Sequence, residues 1–189
     1  DEAVSERFIS AMIEERRRCA GVFPAEQAFT GDGNALLKDL EEALFCSIAV
    51  AHGQGFTLMG KASLEYGWGL DRAVIARVWR GGCIIQSKMM DDIEALFRKR
   101  PDAGSILVEE PLAGAIRKKQ AGWRRAVSSA ALHGIPVPVL SSALAYFDSY
   151  RSERLPANLI QAMRDLFGAH GYERVDAPAG TLFRTEWNR

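Results

Sequence analysis

The chain has 189 residues, and its 48% hydrophobic content is enough to build a buried core as one large domain or two small ones. Its 24 Lys and Arg residues balance 24 Asp and Glu residues, so the net charge favours neither nucleic acid nor an anionic membrane surface as a partner. No apolar run approaches the roughly 20 residues that a membrane helix needs. We therefore expect a globular protein with no nucleic-acid or membrane partner, whose anion sites are local.

The first two predicted helices follow from apolar residues that recur every three to four positions, at residues 2–20 and from 34 to about 66. The second helix would be about 50 Å long at about 1.5 Å per residue. The Ala-, Gly- and Ser-rich residues 47–55 indicate close approach of neighbouring helices. Its apolar stripe is predicted to comprise Leu37, Leu40, Leu44, Ile48, Phe56 and Met59. We interpret this helix as the central spine of a bundle.

The remaining elements are also predicted to be helical. Asp71 can cap a helix that Gly81 and Gly82 stop after Arg80, and further helices are expected at residues 83–100, 112–133, 141–151 and 156–167. The prolines of residues 135–138 predict a rigid connector. Gly and Pro punctuate the chain from Gly168 onward. The fold class is thus all-α: a large helical bundle built on one long central helix, with an irregular C-terminal tail that has room for one short strand.

The sequence contains no recognised nucleotide or metal motif. Residues 55–62 nearly match a phosphate loop, but they lie in a predicted helix and Ala62 cannot ligate magnesium. There is no GxGxxG after a strand. Cys19, Cys46 and Cys83 form no CxxC pair and have no histidine at ligand spacing, which predicts three reduced core thiols in a cytoplasmic protein without metal.

Taken one at a time, the histidines and arginines favour structural roles. His52 is expected to pack or to form a hydrogen bond within its helix, and His133 to meet the carbonyls at a helix end. Arg80 is expected to satisfy carbonyls at another helix end. By composition alone, Arg7 is a solvated charge, and Arg164 forms a surface ion pair with Asp165.

Three stretches change this interpretation: VWRGGCII at 78–85, GIPVP at 134–138 and above all LPANLIQAMRDLFGAH at 155–170. With supporting matches such as EAV at 2–4 and TEW at 185–187, the chain resembles the C-terminal domain of 6-phosphogluconate dehydrogenases from residue 2 to residue 187. The resemblance implies that residues 1–189 form this dimerisation and substrate-binding domain, and that an N-terminal nucleotide-binding domain precedes residue 1.

The resemblance also implies an activity. Enzymes of this family are cytoplasmic homodimers that oxidise 6-phosphogluconate with NADP and release carbon dioxide. The product is ribulose 5-phosphate, in the pentose phosphate pathway. No metal is implied. The family's catalytic lysine and glutamate would lie before residue 1, so the present chain alone should be inactive.

Three residues match substrate ligands of the family. Arg7 corresponds to an arginine that contacts the substrate phosphate, whereas Arg164 and His170 match residues that the second subunit contributes to its neighbour's site. A guanidinium group can bind two phosphate oxygens at once, in a bidentate contact, and stays charged at every relevant pH. Two departures are Glu6, beside Arg7, and Gln86, where the family often has arginine.

Two other functions compete with this prediction. One is a stand-alone helical module that dimerises or binds a sugar phosphate without catalysis. The other is a different member of the wider hydroxyacid dehydrogenase group, against which the block from Arg164 to His170 argues. The choice between NADP and NAD stays open, because the selecting residues would lie in the absent domain.

Overall fold

The computed structural model describes residues 2–24 and 28–187, and their fold is all-α as predicted. Eight α-helices and one two-stranded antiparallel sheet are found within these residues. The helices are α1 (Glu2–Ala11), α2 (Ile13–Val22), α3 (Gly33–Tyr66), α4 (Arg72–Arg80), α5 (Met89–Lys99), α6 (Leu112–Leu132), α7 (Pro138–Tyr150) and α8 (Asn158–Gly168); the strands are β1 (Tyr172–Glu173) and β2 (Leu182–Phe183).

The chain divides into two compact units, Asp1–Phe147 and Asp148–Arg189. The first contains the predicted spine, α3, whose 34 residues span about 50 Å at about 1.5 Å per residue. The Asp32 carboxylate accepts a hydrogen bond from the Asn34 amide at its start, and Gly67 ends it in the left-handed conformation with φ of 65°. The predicted length and the predicted break at residues 67–69 are therefore confirmed.

The face of α3 that enters the core differs from the predicted stripe. Leu37 and Leu44 are 67% and 57% exposed, and Leu40 and Ile48 are exposed as well. Only Phe56 and Met59 of the predicted stripe pack into the core. Most of the other buried residues of α3 are small: Ala43, Cys46, Ser47, Ala49 and Gly53. Small side chains let a neighbouring segment of the same chain approach closely. Leu107 is an example, because a Cβ on Gly53 would lie 2.7 Å from its Cγ.

A buried tryptophan and a partly exposed ion pair join the helices of the first unit. Trp123 on α6 is fully buried, and its indole nitrogen donates to the Leu140 carbonyl at 3.2 Å. Arg125 makes two hydrogen bonds to the Asp39 carboxylate, at 2.9 and 2.6 Å, and so links α6 to α3. The direct interaction with Arg125 holds the pKa of Asp39 below its ordinary value of 3.8.

By length and composition, α3 could cross a membrane, with a mean hydropathy of 1.2 in its most apolar stretch. This finding qualifies the expectation that no apolar run approaches membrane length. It is weak evidence for a membrane helix, because the core helix of a soluble protein passes the same test. One face of α3 is buried against the rest of the first unit, and that face includes the charged Asp39.

Several predicted boundaries are wrong. The helix predicted at 2–20 is broken at Met12, where ψ is 54°. The helix predicted to start at residue 83 starts at Met89, because Gly82 has φ of 82° and the Ser87 hydroxyl accepts from the Met89 amide. α7 starts earlier than predicted, at Pro138, and α8 slightly later, at Asn158. The tail forms two short strands rather than one.

Candidate functional site

Arg164 and His170 lie together at the C-terminal end of α8, in the second unit. Both line an open pocket of about 450 Å³, whose other walls are Ile160, Met163, Phe167 and Gly168. Residues 160, 163, 164 and 167 fall three to four positions apart, so they share one face of the helix. The pocket therefore combines an apolar helix face with one guanidinium and one imidazole.

A tight turn after α8 places His170. Ala169 adopts the left-handed conformation with φ of 51°, and Gly171 follows with φ of 70°. The His170 ring then folds back over Gly168. A Cβ on Gly168 would lie 2.6 Å from the His170 Cδ2 and 2.8 Å from its Nε2. Only glycine at position 168 leaves room for the ring in this position.

The Arg164 side chain is exposed, and its one hydrogen bond within the described residues is weak, from its Nη1 to the Gln161 Oε1 at 3.4 Å. Within residues 2–24 and 28–187 it has no ion pair with a carboxylate. The alternative prediction of a surface ion pair with Asp165 is therefore wrong, because that carboxylate accepts hydrogen bonds from Thr185 and Trp187 in the tail. The guanidinium is available to an anion in the pocket.

Asp165, which sequence reasoning treated only as a partner for Arg164, is 3% exposed. Its carboxylate accepts from the amides of Gly171 at 3.1 Å and Thr185 at 2.9 Å, and from the Trp187 indole at 2.9 Å. The Thr185 amide contributes most to holding the Asp165 pKa below its ordinary value of 3.8. One signal was present in the sequence: a helix disfavours negative charge at its C-terminal end, so an aspartate there needs other donors.

Arg7 lies in the first unit, on α1, and its side chain is exposed. The Ser10 hydroxyl donates to the Arg7 carbonyl at 2.7 Å. Neither Glu6 nor Arg7 forms an ion pair with any residue of the described ranges, so Glu6 does not neutralise the guanidinium directly.

Other polar residues from the sequence prediction have structural contacts. His52 and His133 each place Nδ1 within 2.8 Å of the carbonyl four residues earlier, at Ile48 and Ser129, as predicted. Arg80 pairs with the Asp91 carboxylate at 2.7 Å rather than with helix-end carbonyls, which corrects that prediction. Cys46 is buried and Cys83 half-buried, but Cys19 is exposed, so the prediction of a core thiol is wrong for Cys19.

The residues that the structure describes contain no group of three or more His, Cys, Asp or Glu side chains that could hold a metal ion. The segment resembling a phosphate loop lies inside α3, as predicted.

Comparison with known proteins identifies the family. The family model for the 6-phosphogluconate dehydrogenase C-terminal domain matches residues 1–187. The chain belongs to this family. Membership confirms the resemblance that the block at 155–170 indicated.

Individual 6-phosphogluconate dehydrogenases are similar over most of the chain. The decarboxylating enzyme of Schizosaccharomyces pombe is 48% identical over 172 residues, which are 90% of this chain and 35% of that protein. Decarboxylating enzyme 1 of Oryza sativa is 42% identical over 98% of this chain and 38% of its own length. The chain thus spans well under half the length of these relatives.

A solved structure, that of Plasmodium falciparum 6-phosphogluconate dehydrogenase, has the same fold. It superposes with a TM-score of 0.88 at 34% identity, covering 98% of this chain and 40% of that one. That protein was solved in its apo form, with its cofactor NADP+ and with its substrate 6-phosphogluconate. The all-α fold predicted from the sequence is the fold of the corresponding part of this dehydrogenase.

Proposed function

We propose that this chain is the C-terminal domain of an enzyme that oxidises 6-phosphogluconate with NADP, releasing carbon dioxide and ribulose 5-phosphate. One observation carries the proposal: Arg164 and His170 meet at one pocket within a domain of the 6-phosphogluconate dehydrogenase family. The decarboxylating relatives and the NADP+ and 6-phosphogluconate complexes of the Plasmodium protein support it.

The chemistry of the pocket suits one end of a phosphorylated sugar acid. Arg164 can donate two parallel hydrogen bonds to phosphate oxygens, which are stronger than bonds between neutral groups. No ion pair within the described residues competes for its guanidinium. The nearby imidazole of His170 can donate to a phosphate or hydroxyl oxygen. Neither residue need take part in proton transfer, so we assign both to substrate binding.

We propose that the protein works as a homodimer, with Arg164 and His170 from one subunit and Arg7 from the other in each site. Two exposed apolar stripes support association. On α8, Leu159, Ile160 and Phe167 are 73%, 61% and 75% exposed, and the last two line the pocket. On α3, Leu37 and Leu44 are similarly exposed. Exposed apolar patches are typical of interaction sites.

The proposal places the nucleotide site and the catalytic lysine and glutamate in a separate domain before residue 1. The relatives are far longer than this chain, and no dinucleotide-binding fingerprint occurs in its sequence. Residues 1–189 then act as one C-terminal domain, which one family model matches over 1–187. NADP binds mainly to the preceding domain, no metal takes part, and the present chain alone is inactive.

We further propose that the protein is cytoplasmic and has no nucleic-acid or membrane partner. Its three cysteines are free thiols, as is usual in a reducing compartment. Its charge is balanced, so a polyanionic surface has no general attraction for it. The buried, Asp39-containing face of α3 supports a core role for that helix.

The proposal is tested by NADP-dependent oxidation of 6-phosphogluconate by the full-length protein. Arg164→Ala and His170→Ala are compared with the wild type, and the 189-residue chain serves as the blank. We expect activity in the wild type, a large loss of kcat/KM in both variants and none in the blank. Full activity in both variants would contradict the site assignment. An inactive wild type that still binds 6-phosphogluconate would favour the stand-alone binding module.

A further inference from the structure

Asp165 is a buried carboxylate directly beside the proposed substrate ligand Arg164, and it faces the other way. Its side chain is 1% exposed, whereas that of Arg164 is open to the pocket. Successive residues of a helix point about 100° apart, so the side chains of Arg164 and Asp165 lie on different faces of α8. Asp165 cannot contact a ligand in the pocket, and any effect on substrate must pass through other residues.

The Asp165 carboxylate joins three segments of the second unit. Its Oδ1 accepts from the Gly171 amide, and its Oδ2 accepts from the Thr185 amide and the Trp187 indole. The Arg184 Nε lies 3.9 Å from Oδ1 and adds a positive charge. These bonds connect the end of α8, the turn that carries His170 and the C-terminal tail. Hydrogen bonds to an ionised carboxylate are stronger than those between neutral groups, so they hold these three segments firmly together.

The same residue holds the chain on both sides of His170. The Asp165 carbonyl accepts from the Ala169 amide at 2.9 Å, and its carboxylate accepts from the Gly171 amide at 3.1 Å. His170 lies between these two anchored amides. The turn also contains the left-handed Ala169, a conformation that L-residues other than glycine adopt at a cost. Asp165 therefore anchors the backbone on both sides of His170, in a turn that contains this unfavourable conformation.

We propose that Asp165 is a positioning residue for substrate: it fixes His170 beside Arg164 and couples that geometry to the tail at Thr185–Trp187. This inference rests on the proposed function, because it requires His170 to bind 6-phosphogluconate. It assigns the tail a role in substrate affinity, even though Thr185 and Trp187 do not line the pocket. Loss of the carboxylate should act only through His170.

The test is a double-mutant cycle in the full-length protein with Asp165→Asn, His170→Ala and both together. Asparagine keeps the size of the side chain but removes its charge and one acceptor. We expect Asp165→Asn to raise KM for 6-phosphogluconate about tenfold, with kcat and KM for NADP changed far less. In the His170→Ala background, Asp165→Asn should leave KM unchanged, because the imidazole that Asp165 positions is already absent.

Asp176→Asn is the matched control. Asp176 lies in the same tail and pairs with Arg174, but both are exposed and neither lines the pocket. Its KM for 6-phosphogluconate should equal that of the wild type. If Asp165→Asn does not fold, Trp187→Phe replaces it, because it removes one donor to the carboxylate and keeps an aromatic ring. We expect a smaller rise in KM, about two- to fivefold, which again disappears with His170→Ala.

Two results would overturn the inference. One is an unchanged KM in the Asp165 or Trp187 variant. The other is a double variant whose KM rises by the product of the two single-variant factors, which means that the two substitutions act independently. Multiplication would mean that Asp165 supports the fold or the dimer without acting on His170. Failure of the proposed function has a different signature. In that case the wild type does not oxidise 6-phosphogluconate, or His170→Ala alone leaves KM unchanged.

Discussion

Gly168→Ala should weaken substrate binding without weakening the fold. The added Cβ would lie 2.6 Å from the His170 Cδ2, whereas ordinary van der Waals contact begins at 3.4 Å. The ring must therefore move by about 0.8 Å or rotate away from Arg164. Because His170 is an exposed side chain, this movement costs little energy. Alanine also favours the helical conformation of residue 168 by about 0.5–1 kcal/mol over glycine.

Under the proposed function, with His170 donating to a phosphate oxygen of the substrate, the expected loss is that of this one hydrogen bond. A bond to a charged group contributes about 1.5–3 kcal/mol, so KM for 6-phosphogluconate should rise about 10- to 100-fold. The melting temperature should fall by no more than about 2 °C, if it falls at all. Steady-state kinetics and thermal denaturation of the full-length protein measure the two quantities separately.

Gly55→Ala is the control for the glycine substitution itself. Gly55 lies inside α3, and no atom lies within 4 Å of the position that its Cβ would occupy. This variant should keep the wild-type KM and gain a little stability. An unchanged KM in Gly168→Ala, in a protein whose KM does respond to His170→Ala, would refute the reasoning about the ring position.

Three further predictions concern the first unit. Gly122→Ala should lower the free energy of unfolding by about 1–3 kcal/mol, measured by urea titration. The reason is that the added Cβ would clash with the Glu42 carboxylate and lie 2.9 Å from the Asp39 Oδ1. An unchanged free energy of unfolding would contradict the close packing of α3 and α6. Burial raises the pKa of the Cys46 thiol to about 11, so iodoacetamide at pH 8 should modify Cys46 only after unfolding. Modified Cys46 in the native protein, detected by mass spectrometry, would contradict this prediction. The lowered pKa of Asp39 stabilises the fold above its ordinary value of 3.8, and this stability is lost as pH falls through the lowered value. Asp39→Asn should therefore flatten the fall of the urea midpoint below about pH 5, and an unchanged slope would argue against the pair with Arg125.

The fold class and the long central helix could be predicted from the sequence because their signals are local. Asp71 is a favourable N-cap and Gly67 favours a left-handed helix end, so the end of α3 and the start of α4 were predicted correctly. The start of α5 was predicted wrongly, because no residue pattern indicates that the turn after Gly82 continues to Ser87. Such boundaries depend on tertiary contacts rather than on local propensity.

Hydrophobic periodicity alone selected the wrong face of α3. The leucine stripe is the more apolar one, yet the core takes the face with Ala49 and Gly53, since α6 and Leu107 need close approach. The exposed stripe is what a chain that associates with another surface would carry. From one sequence, a core face and an interface face of the same helix look alike.

The candidate site was predictable only through the family block at 155–170. Composition favoured a surface ion pair for Arg164 and a structural role for His170, and no spacing rule places the two at one pocket. Their proximity depends on the left-handed Ala169 and on the space above Gly168, which are features of the backbone. The role of Asp165 was missed because its donors Thr185 and Trp187 lie some 20 residues away in sequence.

The central claim, a site shared between subunits, is tested most directly by mixing two full-length variants of low activity. Arg7→Ala and His170→Ala subunits are unfolded together and refolded, and oxidation of 6-phosphogluconate is measured. In a two-fold dimer, each hybrid has one site with both residues intact and one with neither, so random pairing should restore about a quarter of the wild-type activity. No recovery, in a mixture shown by mass spectrometry to contain hybrids, would contradict a shared site and place Arg7 and His170 in the same subunit's site.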